Sequence, residues 1–220
     1  MTALSGRVGV MGGTFDPVHL GHVAAAEAAG RALALDRVLF VPSCRPPHRA
    51  EQPRASAFHR FAMVSLAVAD RPHFVASDIE LERPGPSYTA DTLRRLHETG
   101  YDASQLFFIL GTDAFAEIAT WRDYPAVLDL GHFVVVARPG QALALTQAHA
   151  PELVSRIRLV ADGGGENIPG PPCAVFLVNA ATPNVSSTDI RERAARGDSL
   201  AGLVAPAVER HIVRHRLYDR

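Results

Sequence analysis

Cysteine is scarce in this chain. Its 220 residues include two, Cys44 and Cys173. Two are too few for a disulfide framework, so both read as reduced thiols of a cytoplasmic protein. No apolar run approaches the roughly 20 residues that a spanning helix needs. The opening stretch, Met1 to Arg7, lacks the apolar core of a signal peptide. An excess of either charge is also missing: 22 basic side chains against 23 acidic ones leave a formal charge of −1. That balance argues against a nucleic-acid coat or a polybasic membrane binder, while a local basic cleft for phosphates stays open. There is no internal repeat and no long low-complexity tract. Three chemical signatures are absent as well: G-x-G-x-x-G after the first strand, Gly-Lys-Ser/Thr, and H-E-x-x-H.

What is present is a 47% hydrophobic composition, enough for a real core in one α/β domain. The informative stretch is Val8–His22, VGVMGGTFDPVHLGH. A short apolar strand, Val8–Met11, runs into Gly12-Gly13, a turn with Asp16-Pro17, and an alanine-rich helix, Ala24–Leu35. Strand, glycine turn and helix start make an anion site, because free backbone N–H groups face the ligand and the dipole adds partial positive charge. His19 and His22, three apart, share one helical face beside that anion. Each feature alone also has a bland reading, as a plain turn, an ordinary helix start or surface histidines.

Further strands are expected at Arg37–Val41, Phe74–Ala76, Leu106–Leu110, His132–Val136, Ile157–Val160 and Ala174–Val178, mostly as buried apolar runs. Helices are expected at Ala57–Ala69, with Phe58, Phe61, Met63 and Leu66 as its apolar face, and at Ala90–Glu98, capped by Ser87 or Thr89. Residues 143–153 are a weaker helical candidate. The Pro-rich loop 42–49 holds Arg45, His48 and Arg49 at a strand's carboxyl end, where open α/β sheets bind ligands. Asp113 follows Gly111-Thr112 at another strand end; it either caps a short helix or touches a ligand. Trp121, the single tryptophan, sits among polar neighbours and suits ring stacking as well as core packing. The Gly-rich run 162–167 reads as a surface loop. Ser186 and Asp189 have capping-box spacing. Ser187, Thr188 and Arg191 beside them suit polyphosphate oxygens. Ala201–Tyr218 reads as a small helical bundle with solvated Arg210 and Arg214.

These blocks together resemble the bacterial nicotinate-nucleotide adenylyltransferase family, of the nucleotidylyltransferase superfamily with an H-x-G-H motif. The likeness rests on GGTFDPVHLGH (12–22), VPSCRPPHR (41–49), RPGPSYTADTL (83–93), FILGTDAF (108–115), TWRDY (120–124), RPG (138–140) and VSSTDIR (185–191). It implies a Rossmann-like, doubly wound parallel α/β sheet over residues 1–180, with a small C-terminal helical part over 181–220. By the resemblance, His19, His22 and Arg191 are catalytic. Gly12, Gly13, Thr14, Phe15, Gly111, Asp113, Ser187 and Thr188 bind ATP. Arg49, Tyr88, Thr89, Trp121 and Arg122 bind nicotinate mononucleotide. Mg²⁺ accompanies ATP, and no protein-held metal, nucleic acid or membrane is expected. A homo-oligomer is left open.

The implied reaction is attack of the mononucleotide's ionised 5′-phosphate on the α-phosphorus of ATP, with pyrophosphate leaving. Such a site has to align two anions and spread developing charge. Rival readings are a metal hydrolase using Asp16, His19 and His22, an adenylyltransferase for nicotinamide mononucleotide or another phosphorylated acceptor, and a non-catalytic nucleotide binder.

Overall fold

The structure is a computed structural model and describes residues 6–47, 52–137, 151–160, 168 and 172–219. Its strands are β1 (Val8–Gly13), β2 (Arg37–Pro42), β3 (Phe74–Ala76), β4 (Leu106–Gly111), β5 (His132–Ala137), β6 (Ile157–Val160) and β7 (Val175–Asn179). Its α-helices are α1 (Leu20–Leu33), α2 (Ala57–Val68), α3 (Thr89–Glu98), α4 (Thr112–Ala116), α5 (Ser187–Arg196) and α6 (Pro206–Arg214). The strands form a seven-stranded sheet in the order β3-β2-β1-β4-β5-β7-β6. The reversal of direction at β1 and β4 marks the doubly wound, Rossmann-like α/β class expected from the sequence. Parallel pairing is set by Val8 opposite Leu106, Phe107 opposite His132, Phe133 opposite Val175, and Ile157 opposite Val175.

The chain divides into two compact units. The first comprises Met1–Gly12, Ala25–Val38 and Tyr88–Ala181; the second comprises Gly13–Ala24, Leu39–Ser87 and Thr182–Arg220. In the first, every residue of β5 and all of β4 but Gly111 are buried. Strands covered on both faces read as unbroken apolar runs, which is why they were visible in the sequence. Here His132 is fully buried, between Phe107 and Phe176, and its Nδ1 accepts the N–H of Ala174 at 3.0 Å. Burial, helped by the Arg7 charge, pushes its pKa down to about 4.

In the second unit, α2 packs against α6 and β3. Its buried face is Arg60, Met63, Val64, Ala67 and Val68, a regular helical stripe. This corrects the expected face. Phe58 points to solvent, 82% exposed, while the cation of Arg60 lies inside. Arg60 is tolerated there because its guanidinium donates to four backbone carbonyls, those of Thr14, Ser43, Cys44 and Ala55, at 2.7 to 3.3 Å.

Three further expectations are corrected. Helix α1 begins at Leu20, not Ala24. The N-cap of α3 is Tyr88, with no side-chain cap bond; Ser87 Oγ accepts instead from the N–H of Cys44 at 2.9 Å. The tail is one helix, α6, not a bundle. Its flanks pack elsewhere in the unit: Leu203 O accepts from Leu20 N at 2.9 Å, and Tyr218 is buried. Arg210 and Arg214 are exposed as expected. Of the 143–153 candidate, Pro151–Arg156 is a 3-10 turn. The rest of it, His48, Arg49, residues 138–140 and the Gly-rich run 162–167 lie outside the described residues.

Candidate active site

In the second unit, the turn from Thr14 to His19 joins β1 to α1. Gly13 opens it: a Cβ built there would lie 3.2 Å from the ring of Phe15. Phe15 is buried, with φ of 50°, the left-handed region that non-glycine residues seldom adopt. The peptide after Asp16 is cis.

His19 directly precedes α1 and His22 lies in its first turn. Their rings stack, centroids 3.6 Å apart and 25° between planes. His19 N–H donates to His22 Nδ1 at 3.2 Å, and His22 N–H donates to His19 Nδ1 at 3.3 Å. With Nδ1 accepting, each neutral imidazole carries its proton on Nε2. Burial pushes the His19 pKa down to about 4, so at neutral pH this ring is an uncharged N–H donor. The edge of Phe15 meets His22, centroids 5.0 Å apart.

Gly21, between the two histidines, explains itself by contact. A Cβ there would fall 3.0 Å from His19 Nδ1 and 3.3 Å from the carbonyl oxygen of Pro183. The N-terminal amides of α1 are less available than its glycine turn suggested. Leu20 N–H goes to Leu203 O, and those of His22 and Val23 go to His19 O at 3.0 and 3.3 Å. An anion placed at this turn would meet side chains more than the helix end.

Helix α5 brings the second group. Ser186 caps it, its Oγ accepting from Asp189 N at 3.1 Å. Ser187 Oγ donates to Pro17 O at 2.9 Å. Arg191 donates to Asp16 O at 2.8 Å and to Thr188 Oγ1 at 3.1 Å. So residues near 17 and near 188 are directly bonded. The guanidinium's other N–H groups make no bond among the described residues. The first amides of α5, on Ser187 and Thr188, have no acceptor within the helix. The chain has no lysine, so every fixed cation available to a phosphate is a planar, permanently charged guanidinium.

Asp16 and Arg60 were missed as anchors of this turn. The Asp16 carboxylate, 4% exposed, accepts from Arg54 N–H at 2.8 Å, Ala55 N–H at 3.1 Å and Tyr218 O–H at 2.9 Å. That set of donors turns it away from the metal-ligand role of the hydrolase reading. Among the described residues no group of three His, Cys, Asp or Glu is placed to hold a metal ion.

The first unit holds the remaining candidates. Gly12 faces the Phe108 ring, 3.1 Å from where its Cβ would be. Trp121 is half-buried, edge-on to Phe108 at 5.8 Å and tilted against Phe133 at 6.4 Å. Tyr88 and Thr89, both half-buried, begin α3. The Arg122 guanidinium lies 4.7 Å over the Tyr88 ring and 3.1 Å from Asp91, a cation–π contact that fixes an otherwise exposed side chain. Asp113 is exposed in the first turn of α4 and makes no cap, since Gly111 stands at the cap position with no side-chain bond. Arg49 lies outside the described residues.

Comparison with known proteins places these features in a lineage. The cytidylyltransferase-like family matches residues 10–193. A Roseiflexus protein named "Probable nicotinate-nucleotide adenylyltransferase" is 42% identical over 214 residues, 97% of this chain and 98% of that one. A Symbiobacterium thermophilum protein of the same name is 43% identical, covering 97% and 96%. Among solved structures, the Plasmodium falciparum nicotinic acid mononucleotide adenylyltransferase complexed with NaAD has the same fold, at a TM-score of 0.69, 16% identity and coverage of 97% and 98%. With identity sustained along nearly its full length, the chain belongs to the nicotinate-nucleotide adenylyltransferase family.

Proposed function

We propose that the protein transfers the adenylyl group of ATP to nicotinate mononucleotide, giving nicotinate adenine dinucleotide and pyrophosphate in NAD biosynthesis. One observation carries this reading: the stacked His19–His22 pair sits on a turn that Arg191 and Ser187 bind directly, through Asp16 O and Pro17 O. A donor pair and a guanidinium on one turn suit a polyphosphate whose charge shifts during transfer.

In the reaction, a 5′-phosphate oxygen of the mononucleotide forms a bond to the α-phosphorus. The bond from that phosphorus to the bridging oxygen of pyrophosphate breaks, and the electron pair leaves with pyrophosphate. The attacking phosphate is ionised at neutral pH, so no general base is required. His19 and His22 donate through Nε2–H to α-phosphate oxygens. Arg191, Ser187 and Thr188 hold the β- and γ-phosphates as charge accumulates on them. Mg²⁺ brought in with ATP would neutralise charge on the phosphates that Arg191, Ser187 and Thr188 hold. We assign Gly12, Gly13, Thr14, Phe15, Gly111 and Asp113 to binding of the nucleotide. Trp121 stacks on the pyridine ring, and Tyr88, Thr89, Arg122 and Arg49 serve the carboxylate and phosphate of the mononucleotide. We place the protein in the cytoplasm; no helix among the described residues is long and apolar enough to cross a membrane.

Pyrophosphate release, measured with ATP and either nicotinate or nicotinamide mononucleotide, tests the reading. Release with the acid at a kcat/KM well above that with the amide is expected. Equal or greater use of the amide overturns the acceptor assignment, and no release with either overturns the enzyme.

A further inference from the structure

We infer that Tyr218 is a positioning residue for adenylyl transfer. It acts by fixing the Asp16–Pro17 turn that carries the histidine pair. This rests on the reaction proposed above. The ring is buried, 6% exposed, and its hydroxyl donates to Asp16 Oδ1 at 2.9 Å across 202 positions of sequence. Burial and the neighbouring Asp16 carboxylate drive the phenol pKa upward, so the proton stays in that bond throughout the usable pH range.

Backbone geometry at both ends is a second, independent sign. Tyr218 has φ of 73° and Arg216 of 49°; on the other side Phe15 has φ of 50°. Non-glycine residues in the left-handed region are strained and persist only where surroundings over-determine them. Helix α6 places Tyr218: Val208 and Ile212 are buried, and His211 Nε2 lies 3.1 Å from His59 Nδ1 of α2.

The consequence runs through Asp16. Its carboxylate is gripped by Tyr218 and by the amides of Arg54 and Ala55, while its carbonyl takes Arg191. Losing the hydroxyl removes one of the two donors on Asp16 Oδ1, leaving only the Ala55 N–H there and the Arg54 N–H on Oδ2. The turn then reorients, and the carbonyl that orients Arg191 moves with it. His19 follows three residues later. A misplacement well under 1 Å matters more for the transition state than for ground-state binding.

The test is Tyr218→Phe, which keeps the ring and removes the hydroxyl. Val178→Ala, a buried change in β7 of the first unit, serves as the destabilised control. Steady-state kinetics of pyrophosphate release and thermal melting are measured on all three proteins, with circular dichroism showing each folded at the assay temperature. Tyr218→Phe is expected to lower kcat five- to twentyfold with both KM values within twofold, while Val178→Ala lowers Tm and leaves kcat unchanged. If Tyr218→Phe keeps kcat within twofold, or if Val178→Ala loses as much activity, Tyr218 is structural only and the inference fails. An inactive wild-type protein overturns the proposed reaction instead, so the two failures are distinct. Should Tyr218→Phe not fold, truncation after Tyr218 replaces it. Removing the last two residues leaves the hydroxyl in place, so activity must be retained; a fivefold loss of kcat there overturns the inference.

Discussion

The imidazoles of His19 and His22 face one another 3.6 Å apart, and each accepts the other residue's backbone N–H at Nδ1. Two positive charges would repel strongly at that spacing. The arrangement therefore favours neutral rings with the proton on Nε2, leaving fixed positive charge to arginine.

His19 tests that account directly. With its pKa near 4, it is neutral throughout the range from pH 6 to 8. Between those limits, kcat/KM should show no fall attributable to His19 losing a proton. His19→Ala should lower kcat by about 10²–10³-fold, the usual cost of one transition-state donor, with smaller changes in KM. A rate that declines as pH rises through 6.5, with the decline abolished in His19→Gln, would show that the charged imidazolium is needed.

Gly21→Ala separates helix propensity from sterics. Alanine in place of glycine favours a helix by about 1 kcal/mol, but its Cβ would press on His19 and on the Pro183 carbonyl. The expected outcome is a roughly tenfold fall in kcat with little change in Tm, an order-of-magnitude reading of a sub-ångström displacement. Unchanged kcat would mean the imidazole yields freely.

Arg60 is a stability prediction. Arg60→Met preserves bulk but strips four carbonyls of their donor inside the second unit. A loss of about 3–5 kcal/mol in urea unfolding is expected, the range for removing one side of a buried charged network. Arg60→Lys should recover less than half, since an ammonium has no planar fork. A full recovery would show that charge rather than geometry matters.

His132 sets an acid limit on stability. Its folded pKa, about 4, lies below the unfolded value near 6.5. The unfolded chain thus binds the extra proton between those values. Stability is complete above pH 6.5 and is lost as pH falls toward 4. From pH 7 to 5 this residue should remove about 2 kcal/mol. His132→Leu should melt lower at pH 7, because Ala174 N–H loses its acceptor, yet show a shallower drop on acidification. An identical slope would assign the acid sensitivity elsewhere.

Much of the architecture was written locally. Runs such as LFFIL and HFVVV are apolar enough to demand burial on both faces, and this forces central parallel strands whatever surrounds them. The glycine turn, the H-x-G-H spacing and the Ser186 cap are likewise local facts, since their partners lie within a few residues. What sequence alone could not supply were contacts between distant segments. Arg60 sits in a stripe that an apolar count assigns to Phe58, because only the folded chain offers four inward carbonyls to an arginine. Asp16 reads only as a turn residue, or as a metal ligand in the rival hydrolase reading, and its grip by Tyr218 and two amides is not legible. The amides of α1 read as available until Leu203 takes one. Periodicity reports which face a residue prefers; hydrogen-bond partners more than a hundred positions away are chosen by tertiary packing, and that choice decided which groups of the turn are already engaged.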